Sequence, residues 1–179
     1  MERMNMTSSI PYEVVKHLGD AELRRYDDLI LISVYGMDDN DSFGLLFQYI
    51  GGGNEAGKKI PMTAPVVSRG GDPTNPDSEG HMSFLLPANM GLENAPRPQD
   101  SRVILEKKEG GFFAVMRFRG RAGGNDVQKM TYELVAQLEE ADYDMDGRPF
   151  LLRYNSPFTP GFMRHNEVAV RVVPRTTVN

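Results

Sequence analysis

The sequence predicts an α+β fold on three observations. Strand-length β-rich runs recur along the chain, two stretches carry a helical apolar stripe, and the order strand, helix, strand, strand occurs twice. At 179 residues, 40% of them hydrophobic, the chain is near the size of one domain with one substantial core. Residues 1–11 are polar with scattered methionines and no period, so they read as a flexible tail, and a single domain is expected over 12–179.

Residues 12–18, 22–26 and 29–35 are β-rich, and Gly19-Asp20 and Asp27-Asp28 suit tight turns between them, so the chain is expected to open as an antiparallel meander. The run Asp38-Asp39-Asn40-Asp41-Ser42 supplies helix caps. Phe43, Leu46, Phe47 and Ile50 follow at i, i+3, i+4, i+7, and Gly51 to Gly53 give the stop, which predicts a short helix over 41–51. Strands are expected over 60–68 and 81–86, separated and followed by Gly/Pro-rich surface loops at 69–80 and 87–101.

The pattern then recurs. Strands 102–109 and 112–119 meet at Gly110-Gly111, and Gly123-Gly124-Asn125 open a second helix reaching about Ala141. Its stripe is Val127, Met130, Leu134, Leu138 and Ala141, spaced for one buried face. Strands 149–154 and 166–173 close the domain around a loop at 155–165. Two such units place the strands in one curved antiparallel sheet or distorted barrel, with both helices packed outside.

Charge and composition narrow the function. A formal net charge of −5, from 20 basic and 25 acidic residues, gives no footprint for nucleic acid or an anionic membrane. The absence of cysteine removes disulfides, thiolate metal sites and cysteine nucleophiles. His17, His81 and His165 are the imidazoles available. With no secretory-type apolar run and no segment near the roughly 20 residues of a membrane span, a cytoplasmic monomer is expected.

Several segments together resemble the SOUL/heme-binding protein family. They are Tyr12-Glu13-Val14-Val15, Glu22-Leu23-Arg24-Arg25-Tyr26, Tyr49-Ile50-Gly51-Gly52-Gly53-Asn54-Glu55 and Lys59-Ile60-Pro61-Met62-Thr63-Ala64-Pro65-Val66. Further along come Met82-Ser83-Phe84-Leu85-Leu86-Pro87, Met116-Arg117-Phe118-Arg119-Gly120-Arg121-Ala122, Tyr154-Asn155-Ser156-Pro157-Phe158 and Arg164-His165-Asn166-Glu167-Val168. Each is weak alone; as a collinear set from residue 12 to residue 173 they are specific. The resemblance implies a distorted eight-stranded antiparallel barrel with two flanking helices, and reversible, non-covalent binding of heme or an iron-free porphyrin.

On that reading Phe43 and Phe47 form the floor of a ligand groove at the first helix, with Gln48, Lys58, Met62, Tyr154 and Arg164 around it. Six of the eight residues from Phe43 to Ile50 are apolar or aromatic, wider than a one-sided helix needs, so part of that surface needs a second cover. Burial by nearby loops is the plain alternative to a ligand. For Met62 the core is the plain reading, and for Tyr154 packing and ligand contact both stand. Asn40 and Gln48 stand where the resemblance puts basic residues in animal heme binders, and the helix cap carries the acids Asp38, Asp39 and Asp41, so heme propionates look to Lys58, Lys59 or Arg164, and weaker heme binding is expected.

No histidine is placed as an obligatory axial ligand, and the position where one branch of the family carries a histidine is Arg25. The stretch 52–58 matches G-x-x-x-x-G-K but lacks the following Ser or Thr and has helix before and strand after, so it reads as a helix stop. Nothing in the spacing points to catalysis. The alternative is a gyrase-inhibitor-like small-molecule-binding domain, or a small hydrolase, using a pocket carboxylate: Glu167 would face an aromatic pocket with Tyr154 and have a raised pKa.

Overall fold

A computed structural model describes residues 8–176 except 73, 76 and 156–158. Most of the expected tail, and the Ser156-Pro157-Phe158 part of the family-like segment, lie outside the described residues. The elements in chain order are β1 (Ser8–Ser9), β2 (Glu13–Leu18), β3 (Ala21–Tyr26), β4 (Leu29–Tyr35), α1 (Asp39–Ile50), β5 (Thr63–Arg69) and β6 (His81–Leu85). They continue with β7 (Ile104–Lys108), β8 (Gly111–Arg119), α2 (Gly124–Glu140), β9 (Tyr143–Met145), β10 (Phe150–Arg153), a 3-10 turn (Gly161–Met163) and β11 (His165–Pro174).

The chain forms two compact units interleaved in sequence: Met1–Ile10 with Asp28–Glu109, and Pro11–Asp27 with Gly110–Asn179. In the first, the ladder runs β1-β5-β6-β4-β7, antiparallel except for β1, which pairs parallel to β5. The Ile10 amide also donates to the Ala64 carbonyl and its side chain is buried, so the expected tail is already docked from Ser8. In the second, the ladder runs β2-β3-β8-β11-β10, with β9 on β11. The α+β class, the antiparallel ladders and the two helices are as expected. Among the described residues there are eleven strands in open ladders, in place of the expected eight closed into a barrel.

The hairpin of β2 and β3 at Gly19-Asp20 is as expected, whereas continuation of the meander into β4 and the hairpin at Gly110-Gly111 are corrected by the pairing. β3 pairs with β8 and β4 with β7, so neither β3–β4 nor β7–β8 is a hairpin. Gly110 explains the geometry of the crossing. A Cβ there would lie 2.2 Å from the Tyr26 carbonyl oxygen, so the two linking segments pass too closely for any side chain.

Each helix hides its apolar face as its spacing dictates. Asp38 caps α1 by accepting from the Asp41 amide at 2.8 Å, and Asp39 and Asp41 favour the positive end of its dipole. Its buried side is Ser42, Leu45, Leu46, Tyr49 and Ile50, packed with Ile32, Val34, Met82 and Phe84 of the sheet. On α2, Leu134 and Leu138 pack on Ala114, Met116, Val168 and Val170, with Val127, Met130 and Ala141 alongside. No helix among the described residues is long and apolar enough to cross a membrane.

Candidate functional site

In the first unit, the core takes α1 from one side and leaves Phe43 and Phe47 on its flank. Their rings lie nearly parallel, with centroids 6.1 Å apart and 12° between planes. Phe43 also meets Phe84 edge-on at 5.2 Å, while Phe47 remains 40% exposed. Gln48 beside it is exposed, and so is Lys58. The chain between the helix and Lys58 is pinned by Asn54, a fully buried side chain. Its amide donates to the carbonyls of Tyr49 and Lys58, and its oxygen accepts from the Lys58 amide at 3.0 Å. The acids Asp38, Asp39 and Asp41 therefore sit at the start of α1, and Lys58 follows the turn at its end. The Gly-rich stretch is a helix stop: the Gly51 and Gly53 amides donate to the Phe47 and Gln48 carbonyls.

Met62 is 7% exposed and its side chain packs within the core cluster, in keeping with the plain reading of this residue.

The second unit carries a cluster of which only the meeting of Glu167 with Tyr154 was expected, and not Arg24. Strand alternation puts Glu22, Arg24 and Tyr26 of β3, Phe113, Val115 and Arg117 of β8, and His165 and Glu167 of β11 on the sheet face opposite α2. Arg24 grips Glu167 with two hydrogen bonds of 2.8 and 2.6 Å, and the two side chains are 2% and 1% exposed. Its remaining donors reach Glu22 at 2.8 Å and the Tyr26 hydroxyl at 3.0 Å, and the Tyr12 ring covers the guanidinium at 4.0 Å. Tyr154 hydrogen-bonds Glu167 and stacks on His165 with centroids 4.8 Å apart. Arg164 donates to the Thr159 carbonyl at 2.8 Å. Both residues expected at the α1 groove are thus engaged within the second unit.

Beside this cluster is a hollow of about 440 Å³ lined by Arg117, Arg119, Phe162, Met163 and His165. Register places His165 opposite Arg119 and Glu167 opposite Arg117. Phe162 and Met163, on the 3-10 turn, are 77% and 60% exposed. No group of three or more His, Cys, Asp or Glu able to hold a metal ion occurs among the described residues.

The family model described as SOUL heme-binding protein matches residues 7–171. The chain belongs to the SOUL heme-binding protein family. The human relative "Heme-binding protein 2" is 31% identical over 159 residues, which cover 84% of this chain and 77% of the relative. Among solved structures, a hydrolase from Listeria innocua superposes with a TM-score of 0.62 at 14% identity, covering 86% of this chain and 92% of that one. The EcmrR C-terminal domain superposes at 0.63 and 14%, covering 91% and 98%. Those two likenesses concern the fold alone.

In this SOUL chain the pocket-carboxylate alternative meets Arg24. Burial alone would raise the Glu167 carboxyl, but the hydrogen bonds from Arg24 and Tyr154 outweigh it and hold the group below its ordinary value. A carboxylate already held by a buried guanidinium is neither a poised base nor an open cation site. Burial raises the Tyr154 hydroxyl and the Glu167 charge raises it further, so it remains a donor. Burial, then the Arg117 charge, holds His165 below its ordinary value of 6.5.

Both Glu167 and His165 titrate lower in the folded than in the unfolded chain, so the unfolded chain binds more protons in both windows. Their stabilisation is complete above the ordinary imidazole value of 6.5 and falls with pH, first through the His165 window and then below the ordinary carboxylate value of 4.5. The urea midpoint is expected to drop between about pH 7 and 5 and again below about 4.5, with His165→Gln flattening the upper step. A midpoint that rises on acidification over either window contradicts this assignment.

Proposed function

We propose that this chain binds heme or a related tetrapyrrole non-covalently on the flank of α1, acting as a carrier, buffer or sensor. The observation that carries this reading is the parallel Phe43–Phe47 pair, whose outer ring is 40% exposed on a helix already committed to the core along its other side. Family membership and the heme-binding names of the relatives support it. A planar macrocycle gains about 25 cal/mol for each Å² of apolar surface it covers, and needs no metal bond to do so.

The residues of this flank fit such a guest in area and in charge pattern. α1 carries no histidine, so the apolar faces alone hold the ring, and heme and iron-free porphyrin are held alike. Asp38, Asp39 and Asp41 repel carboxylates at the start of the helix, so propionates turn toward Lys58 at its other end, with Gln48 between. Bound heme supplies the iron chemistry; these residues supply orientation.

Parallel titration with heme, protoporphyrin and a cationic aromatic dye tests the proposal. Heme and protoporphyrin are expected to saturate with affinities within a few-fold of each other, and the dye not to bind. Binding of heme alone overturns area-driven capture, and binding of the dye alone overturns tetrapyrrole recognition.

A further inference from the structure

The hollow of the second unit lies apart from α1 in the sequence and differs from it in chemistry, and it needs its own account. It combines two features seldom placed together on an acidic protein: paired arginines and exposed apolar side chains. Arg117 and Arg119 are two residues apart on β8, so they project from the same face of the sheet. Arg121, just beyond the strand, lays its side chain against Gly161, where a Cβ would lie 2.7 Å from its Cγ. Phe162 and Met163 stand 77% and 60% exposed on the other wall. Single exposed apolar residues are ordinary; two adjacent ones lining a hollow of about 440 Å³ beside cations are a ligand-sized combination.

Glu167 is the group that could make this site prefer cations, because it lies 3.8 Å from Arg117 Nε and 3.7 Å from His165 Nε2. Arg24 prevents that. Its guanidinium takes both Glu167 oxygens and, through Nε, Glu22 as well. Counting Arg24, Arg117 and Arg119 against Glu22 and Glu167 leaves three positive and two negative charges, so the cluster is net cationic within a chain of net charge −5. The arginine fork suits a carboxylate, and its planar face also suits an aromatic ring.

We propose that this hollow is a second binding site, taking a small planar aromatic carboxylate. The acid group lies on Arg117 and Arg119, and the ring packs against Phe162 and Met163 with the His165–Tyr154 stack behind. The site is independent of tetrapyrrole binding at α1, and its occupant is set by charge: anions enter and matched cations do not.

The test uses the full chain and 2-naphthoate, with 2-naphthylmethylammonium as the cation of matched shape, followed by calorimetry and by chemical-shift changes on a labelled sample. Saturable naphthoate binding that moves the amides of Arg119, Met163 and His165 is expected, with none for the cation. Arg119→Gln is expected to weaken naphthoate about tenfold, while Arg119→Lys, which keeps the charge but not the fork, recovers only part of that loss. Arg119 is an exposed side chain, so both variants keep the fold. Phe47→Asp leaves naphthoate binding unchanged even where it abolishes tetrapyrrole binding, so the two sites fail separately. Absence of saturable naphthoate binding overturns the proposal, as does equal binding of the cation, or indifference of naphthoate to Arg119→Gln.

Discussion

Replacing Arg24 by alanine is expected to cost about 3–5 kcal/mol of folding stability, the usual penalty for leaving a buried charge without its partner. The magnitude rests on how completely the pair has left water: Arg24 and Glu167 are 2% and 1% exposed, and the guanidinium spends its donors on Glu167, Glu22 and Tyr26. Removing both charges together is expected to be far milder. Arg24→Met with Glu167→Leu should fall within about 1–2 kcal/mol of the parent, because the two side chains are replaced by apolar ones of similar reach. Urea unfolding of the parent, the two single variants and the double variant gives the coupling directly.

The single variant also reverses a sign. With Arg24 gone, burial dominates and Glu167 titrates above its unfolded value. Its destabilising effect is then felt at neutral pH and relieved as the pH falls through the new folded value. Acidification thus strengthens Arg24→Ala where it weakens the parent. Loss of less than about 1 kcal/mol in Arg24→Ala would show that the pair is not the buried ion pair described.

Phe47→Asp is expected to weaken binding of both heme and protoporphyrin by roughly thirtyfold or more, or about 2 kcal/mol. Two effects combine. The ring contact with the macrocycle is lost, and a carboxylate is placed in the last turn of α1, where it repels the propionates drawn toward Lys58. Stability should fall by about 1–2 kcal/mol, since Phe47 loses its stack on Phe43 and a carboxylate enters the last turn of α1, while the buried side of the helix is untouched. Equal losses for the two ligands indicate capture by surface area. A loss confined to heme would point to the iron, and no loss at all would move the tetrapyrrole away from α1.

Much of the architecture was legible because local patterns carry it. The Asp38 cap, the Gly51 stop and the stripe Val127, Met130, Leu134, Leu138, Ala141 each specify a helix from neighbouring residues, and both helices lie within two residues of the expected bounds. Beyond the β2–β3 hairpin, pairing partners were not legible. Asp27-Asp28 and Gly110-Gly111 look like hairpin turns, yet each joins strands that ladder elsewhere, and no local signal distinguishes a turn from a crossing. β1 was missed because two residues have no measurable period, and β9 because three scarcely do.

The site divides in the same way. The surplus of aromatic residues on α1 showed in the sequence, since eight residues with six apolar members exceed what one face can bury. Arg24 did not. It alternates with Glu22 and Tyr26 as though facing solvent, and only the register of β3 on β8 and β8 on β11 brings Glu167 to it across a sequence separation of 143. A lone histidine heading the last strand likewise gives no hint of the Tyr154 ring stacked on it.

The exchanged strands also set the order in which this chain can mature on the ribosome. Every strand of the first unit has been synthesised once Glu109 is made, whereas the β2–β3 hairpin, translated earlier, has no further partner until β8 emerges. At about 5–20 residues per second, translation of the stretch from Tyr26 to Arg119 leaves that early hairpin waiting for roughly 5–20 seconds. Throughout that interval Arg24 remains hydrated and Glu167 does not yet exist. The ion pair at the heart of the second unit is therefore acquired only after every strand of the first unit has been made.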